Sequence, residues 1–200
     1  MARPQAADYE HRRAAIVDKA ARLYAERGFL GASLSDLARA CKTSKSLIYH
    51  YYASKEDILF DVMHSHVAEL KRAAGAVMAQ PASPVEKLRA ITREFMKHYV
   101  GATARQKVLL NELAHLPPNR RAIIVGIQNE LIGDIQTLLS GIRPELANTT
   151  LKLPAAMLYF GMINWTHTWM DPAGPAKPPM IADLAASLFL DGLLNAEIPR

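Results

Sequence analysis

The stretch SLSDLARACKTSKSLIYHYYASKEDIL, residues 33–59, combines helix-start signals with apolar residues at helical spacing, and it decides the fold. Ser33 precedes an apolar pattern and is followed three residues later by Asp36, which is the spacing of a capping box. Leucine and alanine then recur at three- and four-residue intervals, as on one face of a helix. This pattern predicts a short helix over residues 34–40.

Two more helices are predicted within the same stretch. Ser44 stands before a second apolar run and predicts a helix that ends at about Tyr52. Ser54 caps a longer helix from Lys55 to about Ala79, and two acidic residues in its first turn complement the helix dipole. The first two short helices are separated by only a few residues, so the chain turns sharply between them.

The rest of the chain also has apolar residues at helical spacing, and no convincing two-residue alternation predicts a strand. A first helix is predicted from about Ala7 to Arg27, where Gly28 ends it. Prolines separate the later helices, because proline starts or ends a helix more readily than it continues one. These further predicted helices span residues 85–103, 105–116, 118–142, 146–170 and 180–195. The predicted fold class is all-α, with about nine helices.

The composition indicates a folded chain, since half of its 200 residues are hydrophobic and 22% are charged. A formal net charge of +5 mildly favours polyanionic partners such as nucleic acid. The single cysteine, Cys41, excludes an internal disulfide and fits a reducing compartment. Neither a secretory signal peptide nor a run of roughly eighteen apolar residues is visible, so a cytoplasmic protein without a membrane span is expected.

Two short helices joined by a tight turn match the helix-turn-helix arrangement, although ordinary helical bundles also contain such pairs. The side chains favour DNA binding over a bundle corner. Ile48 and Tyr52 are four residues apart and face inward, and the sequence has no acidic residue between Asp36 and Glu56. A cation, hydroxyls and aromatic rings are the groups that contact phosphates and base edges in a major groove. They occupy the outer side of the second short helix at Lys45, Ser46, Tyr49 and His50.

Other functional classes find little support in the sequence. It contains no GxSxG, no glycine-rich phosphate loop, no HExxH and no CxxC, so an enzyme is not expected. His64 and His66 are two residues apart and do not share a helical face, so neither a metal site nor a cofactor is predicted. A net charge of +5 is modest for a sequence-independent architectural DNA binder.

IVDKAARLYAERGF, residues 16–29, followed by residues 33–59, resembles the N-terminal DNA-binding domain of the TetR family of bacterial transcriptional regulators. The resemblance implies a DNA-binding domain over residues 1–55 and a larger helical domain over residues 56–200 that binds a ligand and forms a homodimer. It therefore implies double-stranded operator DNA and a small hydrophobic effector as partners. The hypothesis is a dimeric repressor released by its effector, and an activator remains an alternative.

The family pattern assigns DNA contacts to both short helices, the turn between them and the start of the next helix. Some assignments have an alternative: Leu47 meets a thymine methyl or is simply a half-exposed leucine, Tyr51 contacts DNA or packs against the fourth helix, and Ser33 binds phosphate or only caps its helix. The predicted DNA-binding residues are Ser33, Ser35, Lys42, Thr43, Ser44, Lys45, Ser46, Leu47, Tyr49, His50, Tyr51 and Lys55.

The turn departs from the family pattern, which usually has a glycine where this sequence has Lys42. A positive φ at this lysine costs about 1 kcal/mol relative to glycine and adds a cation beside the DNA backbone. Near the N-terminus, Arg3, Arg12 and Arg13 form either a basic arm that reaches the minor groove or a solvated end of the chain.

The resemblance also implies an effector pocket in the larger domain, and the segment MLYFGMINWTHTWM, residues 157–170, has the densest mixture of aromatic and polar groups there. On one continuous helix, four of its residues share a face. The alternative is that they belong to the core or to the dimer interface. The predicted ligand-binding residues are Met162, Trp165, Thr166 and Trp169, with His98, Asn111 and His115 as further polar groups.

NWTHTWMDPAGPAKPPMIADLAASLFLDGL, residues 164–193, resembles the C-terminal end of TetR-family members that respond to acyl-coenzyme A thioesters. The basic residues Arg120, Arg121 and Lys177 would then meet the coenzyme phosphates. The competing interpretation is a drug-like or aromatic metabolite as effector.

Overall fold

The computed structural model describes residues 3–171 and 173–197, with side chains from Asp8 onward. Within this part of the chain there are nine α-helices and no β-strand, so the all-α prediction is confirmed. The helices are α1 (Arg3–Gly31), α2 (Leu34–Ala40), α3 (Lys45–Tyr51), α4 (Lys55–Met78), α5 (Pro84–Gly101), α6 (Thr103–Asn111), α7 (Pro118–Ile142), α8 (Lys152–Asn164) and α9 (Pro178–Asn195). Short 3₁₀ turns cover Leu113–His115, Pro144–Leu146 and Trp165–Thr168.

The chain divides into two compact units by its contacts. The first unit contains residues 1–67 and 104–124, and the second contains residues 68–103 and 125–200. Residues from α6 and α7 therefore join the helix-turn-helix helices in the first unit. The predicted domains divide the chain by function rather than by contacts, with residues 1–55 for DNA binding and residues 56–200 for ligand binding. They stay a prediction.

The first unit has an apolar core to which α1, α2 and α3 all contribute. Ile16, Ala20 and Tyr24 lie on the buried stripe of α1, and Leu37 of α2 and Ile48 of α3 are fully buried. The stripe follows the three- and four-residue spacing of the sequence. Helix-turn-helix geometry therefore depends on packing against α1 as well as on the short turn.

Gly28 interrupts α1 without ending it. Its backbone has φ 74° and ψ 159°, a combination that glycine adopts far more readily than other residues. Helical structure resumes for one further turn to Gly31. The sequence correctly located the break, but not this additional turn, which carries Phe29 into the core of the first unit, where it is 4% exposed.

Two predicted helices are shorter in the structure. The helix expected over 105–116 becomes α6 and a 3₁₀ turn, and helical structure stops before Leu116, which precedes Pro117 and is extended, with φ −76° and ψ 142°. The helix expected over 146–170 is also divided. The Thr149 hydroxyl donates to the Leu146 carbonyl and accepts from the Leu151 amide, and these local bonds compete with helix formation.

In the second unit, α5 packs against α9, and α8 also contacts α9. Ile91 and Phe95 of α5 and Ile163 of α8 are fully buried in its core. A buried polar pair lies among them: the hydroxyls of Thr92 and Tyr159 are 2.9 Å apart. Because each hydroxyl has a partner, this pair does not impose the cost of an unsatisfied buried polar group.

Candidate nucleic-acid interface

The second helix begins at its predicted capping box. Ser33 Oγ accepts a hydrogen bond from the Asp36 amide at 3.1 Å, and Asp36 Oδ2 accepts one from the Ser33 amide at 3.1 Å. The hydrogen bonds from Ser33, aided by Arg39 and Arg27, hold the pKa of the Asp36 carboxyl below its usual value. Ser33 therefore acts as a helix cap, while its phosphate contact stays a prediction. Ser35, in the first turn of α2, is exposed.

The third helix has one buried and one exposed side, as its sequence predicts. Ser44 Oγ caps it by accepting a hydrogen bond from the Leu47 amide at 3.1 Å. Ile48 is fully buried and Tyr52 is 6% exposed, so these two residues attach the helix to its unit. The opposite side exposes Lys45, Ser46, Tyr49 and His50.

This exposed side combines a cation with aromatic rings. The ammonium of Lys45 lies 5.7 Å from the centroid of the Tyr49 ring, within the range of a cation–π interaction. His50 lies edge-on to the Tyr51 ring, with the ring centroids 5.3 Å apart. The surface can therefore donate hydrogen bonds and offer flat apolar rings from adjacent turns of one helix.

The turn between the two helices has Lys42 in the left-handed conformation, with φ 53°, and it is the only non-glycine residue with positive φ in the described part of the chain. The turn closes because the Lys42 amide donates to Arg39 and the Thr43 amide donates to Ala38 at 2.9 Å. The conformation costs about 1 kcal/mol relative to glycine. The lysine side chain is exposed, so a cation stands at this corner.

A groove of about 280 Å³ lies beside this turn. Lys42 and Thr43 line it from the turn, Leu47 from α3, and Arg12 and Lys19 from α1. The groove therefore places cations from two segments around a partly apolar floor. Burial raises the pKa of the Cys41 thiol in its wall, so the thiol has little of the thiolate character that oxidation requires.

A hydrogen-bonded triad attaches the end of α3 to α1 and α4. The Tyr52 hydroxyl donates to Asp61 Oδ2 at 2.6 Å, and Arg13 Nε donates to the same hydroxyl at 3.3 Å. Arg13 also forms an ion pair with Asp61 at 2.7 Å. Arg13 is thus held by contacts within the first unit, although its side chain is 40% exposed. Arg3 begins α1, and its side chain lies outside the described residues.

A second attachment lies closer to the exposed face. The ring of Tyr9 on α1 lies 4.7 Å from the ring of Tyr51, measured between centroids. The ring of Tyr51 therefore packs on α1, while its contact with DNA and its packing against α4 stay predictions. Tyr9 is also 6.4 Å from His50, so α1 supports both aromatic residues at the end of α3.

The fourth helix begins with the predicted cap, since Ser54 Oγ accepts from the Asp57 amide at 3.1 Å. Lys55 follows, and its ammonium points into the unit. It donates to the carbonyl of Phe29 and lies 4.1 Å from the centroid of the Phe29 ring. Burial lowers the pKa of Lys55. Its contact with a DNA phosphate stays a prediction and requires a different side-chain position.

The predicted ligand-binding residues are not brought together on one face. Thr166 is 3% exposed and its hydroxyl donates to the Ile163 carbonyl at 2.6 Å, whereas Trp165 is 64% and Trp169 55% exposed. The prediction that these residues share one helical face was wrong. Residues 165–168 form a 3₁₀ helix, which changes the angular spacing of the side chains. Met162 belongs to the exposed set, at 39%.

The three polar candidates lie on other elements. His98 is half-buried in α5 of the second unit. Asn111 is exposed at the end of α6 and its side-chain amide donates to the Lys107 carbonyl at 2.9 Å. His115 lies in the following 3₁₀ turn, where its ring stacks on Phe29 with centroids 5.4 Å apart. Asn111 and His115 thus belong to the first unit.

The second unit also exposes large apolar side chains on α8 and α9. Leu158 is 71% exposed, Leu184 56% and Leu188 60%. Together with the exposed tryptophans they leave more apolar surface open than isolated surface leucines would. Such a surface is typical of a protein–protein interface.

Two family profiles match most of the chain. Residues 16–62 match the profile described as bacterial regulatory proteins, tetR family, and residues 81–193 match tetracyclin repressor-like, C-terminal domain. The chain belongs to the TetR family of bacterial transcriptional regulators.

Relatives and solved structures agree with this assignment over nearly their full lengths. The HTH-type transcriptional regulator BetI of Agrobacterium fabrum is 27% identical over 187 residues, which cover 90% of this TetR-family chain and 91% of BetI. A TetR-family regulator from Bordetella parapertussis has 37% identity and a TM-score of 0.87, covering 94% of this chain and 98% of its own. AibR, solved with isovaleryl coenzyme A and operator DNA, has 28% identity and a TM-score of 0.78, covering 88% and 97%.

Within the described residues of this TetR-family chain, no helix is both long enough and apolar enough to cross a membrane. The same residues contain no group of three or more histidine, cysteine or acidic side chains that could hold a metal ion.

Sequence reasoning missed the residues that position the TetR-type DNA-binding helix. Tyr9 and Arg13 are four residues apart on α1, a spacing that places them on one side and offered a signal. Their partners, Tyr51 and Asp61, lie some forty or more positions further along the chain. Only the tertiary packing of α1 reveals those pairs.

Proposed function

We propose that this chain is a ligand-responsive repressor that binds a near-palindromic operator as a homodimer. Residues 1–55 are assigned to DNA binding, and residues 56–200 to effector binding and dimerisation. The observation that carries the proposal is the exposed side of α3, which presents Lys45, Tyr49 and His50 from a stretch with no acidic residue between Asp36 and Glu56.

The proposed docking places the start of α3 in the major groove. Lys45 and Ser46 lie in its first turn, where side chains reach base edges in helix-turn-helix proteins. A lysine there can donate to guanine acceptors, and Leu47 can contact a thymine methyl. Tyr49, one turn later, is 48% exposed and can donate its hydroxyl to a base or phosphate.

Phosphate contacts are assigned to the residues that flank this helix. Lys42 is exposed at the turn, with Thr43 next to it, and Ser35 is exposed in the first turn of α2. Arg12 and Lys19 line the groove beside the turn and extend the positive surface along α1. Each phosphate neutralised by a cation releases counterions, so these contacts supply affinity rather than sequence preference.

The homodimer is assigned to the exposed apolar side chains of α8 and α9, where Leu184 and Leu188 lie one turn apart on the same helix. Two copies of such a surface cover each other in an isologous contact. A dimer presents two recognition helices to successive major grooves, about 34–36 Å apart for a one-turn spacing. Occupied operator DNA is then unavailable to RNA polymerase, which is repression.

Release by the effector requires only that the effector bind more tightly to the DNA-incompetent state. Helix α4 contributes residues to both units, so a change in α4 alters the spacing of two recognition helices in a dimer. When the two DNA-binding domains of a dimer no longer fit adjacent grooves, each binds DNA separately and with lower affinity.

An acyl-coenzyme A thioester is the proposed effector. Its support is the similarity to AibR, whose structure contains isovaleryl coenzyme A, together with the basic excess of the chain. A thioester of this kind offers an apolar acyl group and a phosphate-rich nucleotide, which call for an apolar pocket with cations at its mouth.

The test of the proposed function compares a duplex selected by the protein from a random-sequence pool with unselected duplex at one salt concentration. Preference for the selected duplex, followed by release on addition of acyl-coenzyme A compounds of increasing chain length, is the expected result. Equal affinity for both duplexes contradicts the regulator. Release by free aromatic acids or drug-like cations, and not by thioesters, replaces the proposed effector while retaining the DNA-binding function.

A further inference from the structure

The ammonium of Lys55 occupies a cradle built from α1. It donates a hydrogen bond to the main-chain carbonyl of Phe29 and lies over the ring of the same residue, 4.1 Å from the centroid. The ring of Tyr24 is a second aromatic neighbour at 5.9 Å. A carbonyl acceptor and the face of a phenyl ring are both favourable surroundings for a cation.

The break in α1 creates this cradle. Gly28 has φ 74°, which interrupts the helix immediately before Phe29. Phe29 lies in the last turn of α1, where carbonyls have no partner within the helix, and its carbonyl accepts from the Ala32 amide at 3.4 Å as well as from Lys55. The carbonyl of Phe29 accepts from Lys55, and the ring of Phe29 turns into the core, where it is 4% exposed.

The 3₁₀ turn after α6 holds the other side of the Phe29 ring. His115 stacks on it with an interplanar angle of 24° and centroids 5.4 Å apart. His115 is itself held by Glu112, with Nε2 and Oε2 3.4 Å apart. Burial lowers the pKa of Lys55, and the negative charges of Glu56 and Glu112 offset part of that effect. Three segments of the first unit therefore converge on one lysine head group.

Lys55 is also the first residue of α4, where free amides and the helix dipole favour an anion. A DNA phosphate at that position needs the same ammonium that the cradle holds. We propose that Phe29 positions Lys55 away from the DNA, and that the cradle competes with a backbone phosphate for the lysine ammonium.

This inference rests on the proposed DNA-binding function and adds a regulatory element to it. The affinity of the protein for DNA depends on the cradle, because forming the phosphate contact means leaving the Phe29 ring. Phe29 is a positioning residue, since it acts on DNA only through Lys55. Lys42 and Lys45 are exposed, and the ammonium of Lys45 lies near the ring of Tyr49 rather than that of Phe29, so their phosphate contacts do not depend on Phe29.

The test uses three variants of the full chain and the duplex selected from a random pool. Phe29→Leu and Phe29→Met remove the ring while keeping an apolar side chain, and Phe29→Tyr keeps an aromatic face. A cation–π interaction of about 0.5–1 kcal/mol corresponds to a factor of roughly two to five. Both ring-less variants are expected to bind DNA about two- to fivefold more tightly than the wild type, and Phe29→Tyr is expected to match the wild type.

Lys55→Gln supplies the control for the mechanism. In this background the replacement of Phe29 is expected to leave DNA affinity unchanged, because the competing ammonium is gone. The salt dependence gives an independent readout: the slope of log affinity against log salt is expected to steepen in Phe29→Leu, by up to about 0.9 for a phosphate contact that becomes fully formed. A merely structural role for Phe29 does not move this slope.

Circular dichroism and thermal unfolding identify folded variants, and either ring-less variant is sufficient for the test. Unchanged or weaker DNA affinity in a folded ring-less variant overturns the proposal, as does tighter binding that persists with Lys55→Gln. Failure of the wild type to select any sequence has a different meaning, because it contradicts the proposed DNA-binding function itself.

Discussion

The hydroxyl of Tyr52 donates a 2.6 Å hydrogen bond to Oδ2 of Asp61, and this bond joins the end of α3 to α4. Burial, together with the bond to Asp61, raises the pKa of Tyr52, so the hydroxyl remains a donor at neutral pH. Arg13 completes the charge balance by pairing with the same carboxylate at 2.7 Å. The orientation of α3 is therefore set by a polar triad as well as by the apolar side chain of Ile48.

Replacing Tyr52 with phenylalanine is expected to lower the free energy of unfolding by about 1–2 kcal/mol. The ring still fills its site, but the charged Asp61 carboxylate no longer accepts a hydrogen bond from residue 52. Urea denaturation followed by circular dichroism measures the change. Tyr49→Phe is the matched control, because that ring is 48% exposed, and it should unfold at nearly the wild-type urea concentration. Equal midpoints for both variants contradict a stabilising role for the triad.

Replacing Lys42 with glycine is expected to stabilise the protein by about 1 kcal/mol relative to Lys42→Ala, since glycine alone relieves the strain of φ 53°. Both variants lose the same cation at the turn. They should therefore weaken DNA binding equally while differing in thermal stability. The prediction fails if alanine and glycine give the same melting temperature.

The exposed side of α3 is expected to divide into residues that read sequence and residues that supply affinity. Lys45→Gln should reduce the salt slope of binding by up to about 0.9 if the lysine contacts phosphate, and leave it nearly unchanged if the lysine reads a base. Tyr49→Ala should weaken binding to the selected duplex in either case. Fluorescence anisotropy at several salt concentrations measures both effects. Wild-type affinity in both variants rejects the proposed docking of α3.

Introducing a charge on the apolar surface of α9 should dissociate the homodimer. Leu188 is 60% exposed, and Leu188→Glu would bury a carboxylate in the proposed contact at a cost of several kcal/mol. Light scattering is expected to show a monomer with much weaker operator affinity. Leu30→Glu is the control, because Leu30 is 76% exposed in the first unit. A dimer that survives Leu188→Glu places the interface elsewhere.

Arg143 is expected to stabilise the end of α9. Its guanidinium donates to the carbonyls of Leu193 and Leu194, both at 2.7 Å, which are otherwise without partners at a helix end. Arg143→Lys loses the separate bonds from Nη2 to the Ala196 carbonyl and from Nε to Glu145, and should destabilise the protein by about 1–3 kcal/mol.

The exposed ion pair between Arg93 and Asp183 provides a comparison for this loss. Arg93→Lys should change stability by less than about 1 kcal/mol, as is usual for ion pairs on a surface. Thermal unfolding of the two variants side by side gives the measurement. Similar losses for both substitutions contradict a special role for Arg143.

The short helices around the turn could be predicted from sequence because their start signals are local. Ser33, Ser44 and Ser54 cap helices through bonds to residues only three positions away. The buried side of α3 also follows from spacing within one helix. Even the positive φ of Lys42 could be anticipated, since the turn needs a left-handed residue at that position.

The aromatic segment near residue 165 shows where such reasoning ends. A continuous helix was expected to keep Trp165, Thr166 and Trp169 near one face, but the segment forms a 3₁₀ turn in which Thr166 is buried and both tryptophans are exposed. The inward position of Lys55 could not be predicted either. It depends on Phe29, which lies 26 positions earlier in the chain, and on a helix break whose effect is tertiary.

The surface position of both tryptophans makes the intrinsic emission of this protein selective. Trp165 and Trp169 are the only two tryptophans in the sequence, and each is more than half exposed in the second unit. Their emission should therefore shift to shorter wavelength when another surface excludes water from them. A single unlabelled sample therefore reports whether this surface of the second unit becomes covered.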